Sequence, residues 1–266
     1  MYANPDLSGD DIWKYMDSKR DLFDKKRLKE ALVKEQGFIC CYCGRRIFVD
    51  HNTHIEHLLP KHAYKNKTYD YKNLFASCQG GTKDEFYVVE KQELLEDIAL
   101  RFGLNQNFLE EVFVDYDNQE MLRKLPDLES VSIGDRVLIY RKVSEKESHC
   151  GHRKNKAEID ISPSQKDCES HFFYDKRNGK IKKRETNTHT IDVLGLNDNK
   201  YLNLNRLRQI EQAITKLKIL IEQVAIQDRN EFIEKRNLLI QQLNGKDAEG
   251  KHRPWHFVEI SVLKGN

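Results

Sequence analysis

Apolar positions along the chain change their rhythm three times. Near the N-terminus, Ser8 with Asp11 three residues on predicts a capped helix through Ile12, Trp13 and Met16. A second helix is predicted from about Lys25 to Gln36. It carries Leu28, Leu32 and Val33 on one face and is closed by Gly37. The middle of the chain is strand-like, with short runs at Phe86–Val89, Val112–Val114 and Arg136–Tyr140 and a short amphipathic helix expected over Gln92–Phe102. Phe172-Phe173-Tyr174 followed by Asn178-Gly179 predicts a β-hairpin. The last stretch is helical: Leu204, Leu207, Ile210, Ile214, Leu217, Ile221 and Val224 fall at steps of three and four. The rhythm resumes at Phe232, Arg236, Leu239 and Leu243 after polar Gln227–Asn230, so one long helix or a helical hairpin is expected, as packed scaffold or docking surface.

Composition narrows the class. With 38% hydrophobic and 33% charged residues and a net charge of only +2, the 266-residue chain is too apolar and too balanced to be disordered. Its most apolar stretch, around Ile219 to Ile226, is broken by Glu222 and Gln223, so no membrane span is expected. The opening MYANPDLSGDD has no basic leader before an apolar run, which points to the cytoplasm. Near-neutral charge gives no whole-protein field for nucleic acid, but Lys176 to Arg184 holds six cations in nine residues. Arg153, Lys154 and Lys156 add a second cluster. Either run can meet phosphates or be a solvated loop.

The cysteines are grouped. Cys40 and Cys43 form a Cys-x-x-Cys pair in a knuckle closed by Gly44, the spacing of two adjacent corners of a zinc tetrahedron. Cys78 and Cys150 are the candidates to complete it, and Cys41 is left as a packing residue. Ordinary buried cysteines are the bland alternative. No motif supports Cys41 or Cys168 as a nucleophile.

Glu56-His57, expected just past a strand and before Pro60, pairs a hard oxygen ligand with an imidazole that can act as a base near neutral pH. A Glu-His dipeptide alone says little. Here it is followed by Asn73, Cys78 and then Cys150-Gly151-His152-Arg153-Lys154.

Together, CCYCGRRI (40–47), IEHLLPKHAY (55–64), YDYKNLFASCQGG (69–81) and HCGHRKNK (149–156) resemble the HNH endonucleases, and most closely the HNH proteins of retron and Septu anti-phage systems. Ile191–Asn197 and Leu202–Arg206 also look like that group. The resemblance implies an α+β protein. Its parts would be N-terminal helices over 1–37, a zinc-pinned ββα-metal (HNH) core over 38–83 and 149–200, a small α/β insertion over 84–148 and a helical C-terminal region over 201–266. It implies a structural zinc on Cys40, Cys43, Cys78 and Cys150, and a catalytic magnesium or manganese on Glu56 and His152. His57 would be the general base and Asn73 the residue orienting the loop. Lys61, Lys154, Lys182 and Lys183 are the expected contacts to nucleic acid, DNA rather than RNA, and an ABC/SMC-like ATPase is the implied partner. His149 competes with His152 as the last ligand, while His51 and His54, close in sequence to Glu56, are read as exposed strand-and-loop residues, with contact to the metal as the alternative. The rival reading is a non-catalytic zinc-stabilised nucleic-acid-binding or adaptor module.

Overall fold

The computed structural model describes residues 8–19, 23–50, 52–80, 82–89, 112–115, 122–124, 133, 136–142, 145–184, 188–223 and 229–265. The chain divides into two compact units, residues 1–80 with 147–266, and residues 81–146. The first mixes helices with two small antiparallel sheets. Its helix α1 (Gly9–Asp17) starts at the predicted capping box: the Ser8 hydroxyl accepts from the Asp11 N–H at 3.1 Å, and the Asp11 carboxylate accepts from the Ser8 N–H at 3.2 Å. Helix α2 (Lys25–Glu35) is capped by the Asp24 carboxylate and buries Leu32 and Val33.

After α2 the chain turns through the cysteine knuckle, where the Gly44 N–H donates to the Cys40 carbonyl at 2.9 Å. Gly44 has a φ of 71°, and a Cβ there would lie 1.8 Å from the Phe257 ring, so only glycine fits. Strand β1 (Thr53–His57) then pairs antiparallel with β2 (Leu74–Cys78), in register from Thr53 opposite Cys78 to His57 opposite Leu74. Glu56 and His57 are thus the last two residues of a strand, one step earlier than the sequence suggested. β2 was not legible in the pattern because Leu74, Ala76, Ser77 and Cys78 are all buried, which erases the alternation of a half-buried strand.

In the second unit, β3 (Thr82–Val88), β4 (Val112–Asp115), β5 (Leu122–Lys124) and β6 (Arg136–Lys142) form one antiparallel sheet in the order β3-β6-β4-β5. Three of these strands hold the runs predicted from the sequence; β5, with three residues, is too short to show a period. The helix expected over Gln92–Phe102 lies outside the described residues.

The first unit resumes beside the point where it was left, since the His149 N–H donates to the Gly80 carbonyl at 2.9 Å. Helix α3 (Cys150–Lys154) packs on β2. β7 (Phe172–Tyr174) and β8 (Ile181–Lys183) form the predicted hairpin around Asn178-Gly179. Helices α4 (Thr190–Val193), α5 (Lys200–Gln223), α6 (Arg229–Asn244) and α7 (His256–Leu263) complete the chain. The packed face of α5 keeps the middle of the predicted seam and loses its ends: Ile210 is buried with Leu202, Arg206 and Ala213, and Ile214 and Leu217 pack against the core, whereas Leu204 and Ile221 are 40% and 58% exposed. Val224 lies outside the described residues. The cause is α7, which packs against both α5 and α6 and buries Val258, Ile260, Val262 and Leu263. One core joins α2, β2, α4, α5 and α7, and Cys40, Cys43, Cys78 and Cys150 lie within it. Among the described residues no helix is long and apolar enough to cross a membrane.

Candidate functional site

Cys40 and Cys43 come from the knuckle, Cys78 from the end of β2 and Cys150 from the start of α3, and all four are buried. Their sulfurs lie within 4.8 Å of one another. A zinc tetrahedron with bonds of about 2.3 Å has sulfur–sulfur edges of about 3.8 Å. Two opposite edges here measure 3.9 Å, Cys40 to Cys150, and 3.8 Å, Cys43 to Cys78. Donor type, count and spacing therefore fit a structural metal such as zinc. Burial works against ionising Cys40, but S–H groups of its neighbours, Cys150 first, bring its thiol well below the usual range. Burial pushes Cys78 and Cys150 well up. Cys40 Sγ also accepts the Cys78 N–H at 3.3 Å, a bond suited to a thiolate. Two further groups stand close to the cluster. His149 is 1% exposed with Nδ1 3.0 Å from Cys150 Sγ, and burial lowers the pKa of its imidazole to about 3, so the ring is neutral. Arg206 is fully buried, with Nη1 on the Leu196 carbonyl at 2.8 Å. Burial lowers the pKa of its guanidinium while Cys43 and Cys150 oppose that, so it carries the sign that a four-thiolate centre calls for.

A second constellation is built on the same segments. Glu56 Oε1 receives the Lys154 ammonium at 2.9 Å and the Tyr42 hydroxyl at 3.3 Å. Tyr42 lies between the knuckle cysteines and Lys154 four residues after Cys150, so the segments that carry the cysteines also hold this carboxylate. Glu56 Oε2 faces His54 Nε2 at 3.0 Å. Burial opposes the charge on Glu56, yet the His54 hydrogen bond and the Lys154 ammonium outweigh it and keep the carboxyl below its usual range. The Lys154 side chain is 1% exposed, and its ammonium also donates to the His57 carbonyl at 2.9 Å. It was expected to steady a phosphate; its ammonium is instead engaged inside the protein.

His57 closes β1. Its Nε2 lies 3.0 Å from the Thr68 carbonyl, which only accepts, so in the neutral ring Nε2 carries the hydrogen and Nδ1 the lone pair. Burial lowers the pKa of this imidazole to about 4, with the Thr68 carbonyl partly offsetting it, so the ring is uncharged at neutral pH. Asn73 pins the loop between the strands: its Oδ1 accepts the Leu59 N–H at 2.7 Å, and its Nδ2 donates to the carbonyls of Leu59 at 3.1 Å and Lys67 at 3.0 Å. Trp13 of α1 packs edge-on against His57, ring centres 4.7 Å apart, and stacks on Tyr69. Nothing in the helical pattern around Trp13 pointed to that contact.

The remaining candidates are dispersed. His152 is exposed on α3, and the hydrogen-bonding partners of Glu56 are His54, Lys154 and Tyr42. Lys61 lies 3.2 Å from Asp10 and over the Trp13 ring. Lys182 is on the hairpin, 3.1 Å from Asp175, and Lys183 follows it on β8. His51 lies outside the described residues. His54, read first as an exposed strand-and-loop residue with metal contact as the alternative, instead meets Glu56. Its signal was its place two residues before Glu56, which on a strand means the same face. A scan against protein-family models finds no match to this chain, and a comparison with curated proteins finds none either.

Proposed function

We propose that this protein is a metal-dependent HNH endonuclease with a ββα-metal core. It would serve as the nuclease effector of a Septu- or retron-type anti-phage system and act with an ABC/SMC-like ATPase. The observation that carries the reading is the Glu56–His57 pair at the end of β1. There a buried, ionised carboxylate is followed directly by an uncharged imidazole whose Nδ1 lone pair is left for a proton. In phosphodiester hydrolysis His57 Nδ1 takes the proton of the attacking water. The new P–O bond forms as the bond to the 3′ oxygen breaks, that oxygen takes a proton from solvent, and a 5′-phosphate and a 3′-hydroxyl remain. A divalent ion, magnesium or manganese, on Glu56 would supply positive charge to the phosphoryl and departing oxygens. Asn73 holds the loop whose Thr68 carbonyl fixes the imidazole. The four-cysteine zinc centre fixes Tyr42 and Lys154 against Glu56. Lys61, Lys182 and Lys183 would meet the phosphates of the substrate, DNA rather than RNA.

For the ATPase, support comes from Ile219, Ile221 and Leu238, which are 45%, 58% and 56% exposed on α5 and α6. The test is incubation of the purified protein with plasmid, single-stranded DNA and tRNA, in magnesium or manganese, with and without the cognate ATPase. At least one substrate is expected to be cut to 5′-phosphorylated ends, and a chelator to stop the cutting. Binding without cutting in every arm would replace the nuclease with the zinc-stabilised binding module.

A further inference from the structure

His54 and Glu56 stand two residues apart on β1, so both side chains leave the same face of the strand. The two oxygens of Glu56 are divided: Oε1 is taken by Lys154 and Tyr42, while Oε2 faces His54 Nε2 alone. Two cis ligands of an octahedral ion with bonds of about 2.1 Å lie about 3.0 Å apart. That is the separation found between Glu56 Oε2 and His54 Nε2, 3.0 Å. The His54 side chain is 33% exposed and that of Glu56 is 8%, so the pair has one open side where water and a phosphate oxygen can complete a coordination sphere.

The floor of this pair is Gly151 of α3. A Cβ on Gly151 would lie 2.2 Å from His54 Nε2 and 2.6 Å from Glu56 Oε2. Any larger residue there would push the imidazole off the carboxylate. The helix thus gives up a side chain where one would meet both His54 and Glu56 Oε2, and the strand supplies a nitrogen in that space.

We propose that His54, not a histidine of α3, is the nitrogen ligand of the divalent-ion site on Glu56, admitted by the missing side chain of Gly151. The proposal deepens the nuclease reading and rests on it for what the ion does. An imidazole–carboxylate pair favours manganese and its later neighbours over magnesium, which takes all-oxygen shells.

The test uses the full chain, zinc-loaded on its cysteines and titrated with Mn2+, with free Mn2+ followed by electron paramagnetic resonance. Pulsed spectra of the bound ion read directly coordinated 14N. Wild type is expected to hold one Mn2+ with a 14N coupling. His54→Ala should lose that coupling and weaken binding about tenfold or more. Gly151→Ala removes no ligand atom, yet should weaken binding in the same way through displacement of His54. His152→Ala should leave both affinity and coupling as in wild type. Zinc content and melting temperature identify any variant that has simply unfolded, and the two routes to losing His54, at residues 54 and 151, keep the test decisive. Retained affinity and 14N coupling in His54→Ala, or their loss in His152→Ala, would overturn the assignment. So would wild type that takes up no Mn2+. A chain that binds Mn2+ through His54 but cuts no nucleic acid would instead overturn the nuclease and leave this site standing.

Discussion

Lys154 shows what a buried ammonium demands of its neighbours. With its side chain 1% exposed and its charge on Glu56, removing it strands a carboxylate inside the protein. Lys154→Met is therefore expected to lower unfolding stability by about 3 kcal/mol, measured by chemical denaturation; a loss within experimental error would mean that Glu56 is solvated. His57 sets a pH dependence. Its pKa falls to about 4 on folding, so the unfolded chain takes the proton first. Its contribution is complete above the unfolded value of about 6.5 and is lost as pH falls toward the folded value, by up to about 3 kcal/mol. His57→Phe, which cannot titrate, should flatten the stability–pH curve across that window, and an unchanged slope would show the imidazole to be solvated. At this scale the sequence was informative about ligand type and poor about direction. The Cys-x-x-Cys spacing pointed to metal, and the four sulfurs do converge. Residue spacing could not tell that Lys154 turns inward; it could tell that His54 shares a face with Glu56 only once both were placed on the strand, and the sequence put Glu56 past its end.

Elements were legible where local chemistry sets them. The Ser8–Asp11 box starts α1, and Asn178-Gly179 turns the hairpin, because each is decided within a few residues. The face of α5 was legible in part, since Ile210, Ile214 and Leu217 do pack inward, while Leu204 and Ile221 are turned out because α7, a helix apolar enough to pack on almost any side, chooses the face. Asn73 works at this scale: its three side-chain hydrogen bonds hold the loop that carries Thr68 to His57. Asn73→Ala should cost about 2 kcal/mol and speed proteolytic nicking between Leu58 and Asn73. Wild-type resistance to protease would place the loop's rigidity elsewhere, in the α1 contacts of Tyr69.

In the whole molecule, the long gap between Cys78 and Cys150 is reconciled by the Gly80–His149 hydrogen bond, which brings the flanks of residues 81–146 together. Replacing 81–146 by a short glycine linker should leave a folded first unit with its zinc intact. Loss of zinc on that deletion would show that the second unit is needed to assemble the site. Cys43→Ser should lower zinc content and melting temperature together. The exposed Ile221 and Leu238 belong to the docking proposal: changing both to Glu should abolish co-purification with the ATPase while leaving zinc content unchanged. The cysteine types told that Cys78 and Cys150 belong to one cluster although 71 residues intervene, but nothing in the spacing told how the chain returns, which the backbone bond between Gly80 and His149 decides. In the proposed nuclease, His57 is the base. The most direct test of that role is the cleavage rate of wild type against His57→Ala on whichever nucleic acid is cut, at matched zinc content and melting temperature. A loss of about a hundredfold or more is predicted, whereas equal rates from two equally folded proteins would contradict it.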